Sequence, residues 1–199
     1  MTSFTKTKLV STVSFTLLAL SLTLQGSFAT TSSTLTDIKA SLDRTGNYCF
    51  IYRMFFKLYD ASLYADVEQV SDTDSLFNGE NAVVLEFDYL RTIKKSIILE
   101  SSEKLLANNM TPGELASIQK RVDQINAEYR TVGQGDRSAL SYVPGEGTTL
   151  WINGERKITI EGDDFARLYF RIWLGEQPIS KPMRDALLQG ITKESSLLR

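Results

Sequence analysis

The sequence predicts a single α+β domain, a largely antiparallel sheet covered by helices on one face. Strand-like segments come in runs joined by short turns. Two helical segments separate the runs, and two more follow the second run. No period of roughly 20 to 50 residues repeats, which excludes a solenoid. At 199 residues the chain suffices for one well-buried core and is too short for two ordinary ones. Its 42% hydrophobic and 23% charged residues place it among globular proteins.

Residues 1–29 differ in chemistry from the rest. Lys6 and Lys8 make a basic start, Leu9 to Leu24 is mostly apolar, and Ser27-Phe28-Ala29 ends in small residues. This pattern predicts a signal peptide cleaved after Ala29 and a periplasmic or secreted destination. A spanning helix needs about 20 predominantly apolar residues, whereas six Ser or Thr interrupt Leu9 to Leu24. No stable membrane span is expected after cleavage. Residues 30–45, rich in Thr and Ser, are expected to form a flexible segment; the domain proper is placed at 46–192, with a tail over 193–199.

From Asn47 to Tyr64, aromatic and aliphatic residues favour strand, with Arg53 and Lys57 on one alternating face. The alternation shifts near Phe55-Phe56, which calls for either a bend or two short strands. Asp72, Asp74, Asn78 and Gly79 mark a loop. In Asn81 to Tyr89, Val83, Leu85, Phe87 and Tyr89 alternate with Val84, Glu86 and Asp88, predicting one buried and one wet face. A helix should run from Thr92 to Ala107.

The following helix has a complete start signal in Thr111 as N-cap, Pro112 at the first position and Glu114 closing a capping box. Leu115, Ile118, Val122, Ile125 and Tyr129 then mark its buried face. Gly133, Gly135 and Asp136 form a turn, and Ser138 to Val143 a strand. Thr149 to Ile152 and Glu155 to Ile160 flank Asn153-Gly154, the signature of a type I′ hairpin. Phe165, Leu168, Ile172 and Trp173 share a helical face that ends at Gly175. A last helix begins after Ser180 and stops near Gly190.

Composition removes several functions. There is no His, so Ser-His-Asp and Cys-His nucleophiles and His-ligated metals are excluded. The single Cys49 cannot form an internal disulfide, and its apolar surroundings predict a buried, inert thiol. Removal of the leader takes the formal charge from −2 to about −4, without the basic stripe that nucleic acid requires. Asp72 and Asp74 lack the Gly and distal Glu of a calcium loop. Asp163 and Asp164 suit a helix N-terminus better than a metal. Gly145-Glu146-Gly147 lacks the Lys-Ser/Thr of a phosphate loop. Neither metal nor cofactor is expected.

Six short strings occur in order: Phe56-Lys57-Leu58-Tyr59-Asp60-Ala61-Ser62-Leu63-Tyr64, Tyr89-Leu90-Arg91-Thr92-Ile93, Gly135-Asp136, Asn153-Gly154, Asp164-Phe165-Ala166 and Ile172-Trp173-Leu174-Gly175. Together they resemble the bacterial chalcone isomerase-like family. The resemblance implies an open-faced antiparallel sheet under a layer of helices, with a ligand cleft between them. Plant enzymes of that superfamily use an Arg, a Thr and a Tyr around the reacting end of a chalcone. Aligned with them, Tyr59 stands at the Thr position, Lys95 at the Tyr position and Ile172 at another pocket position, while Asn47 or Arg53 matches the Arg.

Cationic character without the enzyme's donors points to binding over catalysis, as in superfamily members that hold a fatty-acid carboxylate with an Arg and a Tyr. The expected ligand is a small amphipathic acid, a fatty acid or a phenolic compound, with Arg53, Tyr59, Arg91 and Lys95 as candidate contacts. Plainer readings make Arg91, Lys94 and Lys95 a solvated face and Tyr59 a core aromatic. One alternative is an isomerase or intramolecular lyase with Tyr59 or Lys95 as proton donor. A second is an envelope interaction protein without a small ligand.

Overall fold

The computed structural model describes residues 33–191 apart from 71 and 74. The expected leader and tail lie outside the described residues, as does Asp74. Six strands, β1 (Asp43–Tyr52), β2 (Phe56–Ala65), β3 (Val83–Tyr89), β4 (Arg137–Val143), β5 (Gly147–Ile152) and β6 (Glu155–Ile160), form one sheet in sequential order. Every neighbouring pair is antiparallel. The helices are α1 (Leu35–Ala40), α2 (Lys95–Asn109), α3 (Pro112–Glu128), α4 (Asp163–Tyr169), α5 (Arg171–Leu174) and α6 (Lys181–Leu187). This is the predicted α+β arrangement.

The period of two along each strand selects the core face. Tyr59, Ala61 and Leu63 of β2 join Val83, Leu85 and Phe87 of β3, Leu140 of β4 and Leu150 of β5 in one buried cluster. Leu106 of α2, Ile118, Val122 and Ile125 of α3, and Phe165 and Tyr169 of α4 close it from above. Burial of this apolar surface is the main force holding the layers together.

The opposite face is drier than expected. Val84, predicted to be wet, is fully buried with Ala139, Trp151 and Ile38 of α1. Lys39 Nζ also donates to Glu86 Oε2 at 2.5 Å. Residues 30–45 were expected to be flexible, yet α1 and the start of β1 lie within that span. The reason is local. Thr34 and Asp37 form a capping box, with Asp37 N donating to Thr34 Oγ1 at 3.2 Å and Thr34 N to Asp37 Oδ2 at 3.1 Å. A helix of six residues with one buried anchor, Ile38, leaves too little periodicity to read.

The shift of alternation near Phe55-Phe56 resolves into two strands and a turn. Phe50 pairs with Tyr59 and Ile51 with Lys57, so Leu58 is the extra residue of a bulge. Arg53, expected on a strand face with Lys57, lies instead in the turn Arg53-Met54-Phe55. Arg53 and Met54 there hold positive φ, 48° and 63°.

Helix α2 begins at Lys95, three residues later than predicted. Ile93 exchanges backbone hydrogen bonds with Val132, 2.9 and 3.0 Å, which keeps the preceding segment extended. Helix α3 starts as predicted, with Thr111 and Glu114 bonded reciprocally. The Asn153-Gly154 hairpin has the predicted positive φ at both centres, 53° and 80°.

The final helical face is divided between α4 and α5. Gly175 ends it for a reason other than the expected left-handed cap, since its φ is −75°. A Cβ there would lie 2.6 Å from both Arg171 O and Asn109 Oδ1. Glycine admits that close approach.

Candidate functional site

The four residues chosen from sequence do not meet in one cleft. Tyr59 is buried on the core face, stacked on Phe50 at 5.1 Å and edge-on to Phe87 at 5.3 Å. Burial, reinforced by Tyr89, pushes its phenol far above the ordinary value, which opposes service as a base or as a ready proton donor. Lys95 Nζ donates to Ala127 O at 2.9 Å, and Lys95 N to Thr131 Oγ1 at 3.1 Å, so this side chain closes the end of α3. Arg91 lies over the ring of Phe56 at 5.3 Å. Arg53 packs on Tyr52, its Nε donating to the Tyr52 hydroxyl at 3.1 Å. Asn47 is exposed on β1, and Ile172 is buried in the core.

Between sheet and helices, rings fill the level at which the cleft was expected. Phe87 meets Trp173 at 5.4 Å, and Tyr169 meets Trp173 at 6.1 Å. The Tyr89 hydroxyl bonds Ser138 Oγ at 2.9 Å. Burial, then the neighbouring Tyr169, raises the Tyr129 phenol. Burial pushes Tyr169 up to about 12 against the opposing influence of the Tyr129 hydroxyl. Tyr169 is thus within reach of Tyr129, yet its hydroxyl forms no hydrogen bond of normal geometry among the described residues.

A deeper opening lies in the helix layer. A cleft of about 740 Å³ is bounded by the ends of α2, α4, α5 and α6 and by the short turn at Ser75–Phe77. Phe77, Phe170, Leu174 and Leu188 make its apolar floor, and Arg167, Arg171 and Arg184 stand around it. Arg171 Nη1 donates to Glu114 Oε1 and Asn109 O, both at 3.1 Å. Arg184 Nη2 donates to Asp185 Oδ1 at 2.8 Å, and its Nη1 to Gly175 O at 3.2 Å. Arg167 is exposed and makes no hydrogen bond or ion pair among the described residues. Asn109 fixes one wall through Gln177, accepting from its N at 2.9 Å and donating to its O at 2.7 Å.

These arginines were missed by sequence reasoning. A signal for two of them was present, because Arg167 and Arg171 are one helical turn apart, off the apolar face that marks α4. Nothing in the pattern joined them to Arg184 from another helix.

A second, shallower hollow of about 580 Å³ lies on the opposite face, lined by Cys49, Phe55, Lys57, Asp60, Leu90 and Arg91. Cys49 is half-buried, contrary to the full burial expected. Residues 49 and 60 pair across β1 and β2 at a point beyond the reach of the α1 cluster. Desolvation, then Asp60, raises the Cys49 thiol, with Lys57 opposing. Among the described residues there is no group of three or more acidic or thiol side chains able to hold a metal. No described helix is long and apolar enough to cross a membrane.

No curated protein matches the chain. Among solved structures it is similar to an Arabidopsis thaliana fatty-acid binding protein, with a TM-score of 0.62 and 12% identity over 78% of this chain and 91% of the other. At that identity the likeness speaks for the fold. A family model described as chalcone isomerase-like matches residues 31–189, a span that includes the sheet and all the helices around the cleft, and the chain therefore belongs to the chalcone isomerase-like family.

Proposed function

We propose that this chain is a non-catalytic binder of a small amphipathic acid, a fatty acid or phenolic compound, taken up in the helix-layer cleft. The carrying observation is Arg167, a guanidinium without a partner among the described residues, beside the apolar side chains of the cleft. Ligand sites combine mostly apolar walls with a few polar groups that fix orientation. Arg167 can receive a carboxylate through two parallel hydrogen bonds, and the exposed edges of Phe77, Leu174 and Leu188 give the apolar part a small contact surface in an otherwise polar lining. Arg171 and Arg184 add positive potential while remaining engaged with acids of their own. Family membership and the fold shared with a fatty-acid binding protein support this reading. Export is proposed from the basic, apolar and small-residue pattern of residues 1–29.

The test is native mass spectrometry of the protein purified from cells, followed by titration with a long-chain fatty acid and its matching alcohol. We expect the acid to bind more tightly than the alcohol, and Arg167→Glu to weaken the acid by about tenfold or more, the scale of a lost charge-assisted contact. Equal affinity for acid and alcohol, unchanged by Arg167→Glu, would overturn the assignment.

A further inference from the structure

The β1–β2 hairpin ends in an exposed apolar tip that neither the fold nor the proposed cleft uses. Met54 is 85% and Phe55 80% exposed, and Ile51, Tyr52 and Phe56 are also exposed. Large apolar side chains scattered singly over a surface need no explanation, whereas five within six consecutive positions concentrate exposed apolar area on both faces and the apex of one hairpin end. The tip also stands clear of the sheet. The last pairing of β2 with β3 is Tyr59 with Tyr89, followed by a hydrogen bond from Leu90 N to Leu58 O. Beyond it, residues 51–57 form a two-stranded ribbon that projects roughly 10 Å at the rise of a strand. The left-handed backbone of Arg53 and Met54 is costly for residues with side chains. It closes the ribbon in a tight turn with Met54 and Phe55 at its apex.

The charges nearest the patch are mostly of one sign. Arg53 lies within the turn, Lys57 opposes Ile51, and Arg91 sits over Phe56. None of the three is in an ion pair among the described residues. The one acid lining the adjoining hollow is Asp60. Apolar residues capable of entering the acyl boundary, ringed by cations with free charge, have the composition that favours anionic membrane interfaces.

We propose that the hairpin tip docks the protein onto a bilayer surface rich in anionic phospholipid, with Met54 and Phe55 inserted and Arg53, Lys57 and Arg91 at headgroup level. The proposal stands on the tip alone and does not require the helix-layer cleft to be occupied. The experiment uses the full chain carrying Phe55→Trp. Trp151 and Trp173 are both buried, so the change in emission reports the tip whatever other segment touches the vesicle.

On vesicles containing roughly a third phosphatidylglycerol, the reporter should shift to the blue and be quenched by acyl-chain bromine. On phosphatidylcholine alone it should do neither. Met54→Ser with Phe55→Ser should weaken sedimentation with the anionic vesicles by about tenfold or more. Arg53→Gln and Arg91→Gln should each weaken it about fivefold. Thermal melts establish that each variant folds. A reporter that stays in water on anionic vesicles overturns the proposal. So does equal sedimentation of parent and Ser variant, or a Ser variant whose only change is reduced self-association.

Discussion

Lys95 Nζ reaches across 32 positions of sequence to donate to the carbonyl of Ala127 at 2.9 Å. Its own N–H is held by Thr131 Oγ1. The last turn of a helix has carbonyls without intrahelical partners and a partial negative charge, so an ammonium there satisfies both. One residue thereby joins the start of α2 to the end of α3.

Lys95→Met should therefore cost about 1 kcal/mol of stability, the usual worth of such a hydrogen bond, and lower Tm by about 2–4 °C. Affinity for the acid proposed above should be unchanged. Chemical denaturation and ligand titration of the same variant check the two parts; weakened binding with unaltered stability would return Lys95 to the candidate ligand contacts.

Arg121 clamps Asp164 with two hydrogen bonds, Nη1 to Oδ1 at 2.9 Å and Nη2 to Oδ2 at 2.5 Å, linking α3 to α4. The guanidinium holds the Asp164 carboxyl below its usual range, against a smaller opposing effect of burial. A depressed folded value means that the stabilisation is fully present above the unfolded value of about 4 and is lost as pH falls through the folded one. The stability gap between the parent and Asp164→Asn should be open at neutral pH and close under acid. Because the carboxylate is 47% exposed, added salt should narrow it as well. Urea melts across pH and ionic strength read both effects; a gap that widens toward acid would contradict this account.

Gly46 lies where α6 crosses the edge of β1. A Cβ at that position would stand 1.9 Å from Ala186 O, and beside it Thr45 Oγ1 donates to Leu187 O at 2.6 Å. Gly46→Ala must displace helix backbone, and overpacking of that kind costs about 1–3 kcal/mol. We expect a Tm lower by about 2–12 °C and faster amide exchange in α6. Gly113→Ala, where a Cβ meets nothing within 4 Å, is the matched control and should leave Tm unchanged or slightly raised.

Cys49 should alkylate slowly at mildly alkaline pH compared with a free cysteine, because desolvation and then Asp60 raise its thiol and reduce the reactive thiolate. Asp60→Asn should accelerate the reaction, and Lys57→Gln should slow it. Mass-spectrometric time courses with iodoacetamide give the rates. A parent as fast as a free thiol would show that the thiol is not raised, and a faster one that it is lowered.

Much of the fold is local chemistry and was legible as such. Thr111-Pro112 with Glu114 satisfies a helix N-terminus from within four residues, and Asn153-Gly154 supplies two left-handed positions in succession; both signals survive any tertiary context. The period of two in β3 correctly located its core face. It was silent about what covers the other, since Val84 is buried by a helix some 45 positions earlier. The start of α2 was misread because Ile93 is held extended by Val132, a partner that no local pattern announces.

The candidate site was least legible for the same reason. From the sequence alone come the α+β class, the absence of histidine chemistry, the order of the elements after α1 and most of their boundaries, all of which follow from short-range propensity and spacing. Only the tertiary structure decided that Lys95 ends a helix, that Tyr59 joins an aromatic interior, and that Arg167, Arg171 and Arg184 surround one opening. A binding cleft depends on which surfaces different elements turn toward one another, and periodicity within an element fixes its own buried side without naming the neighbour across the gap.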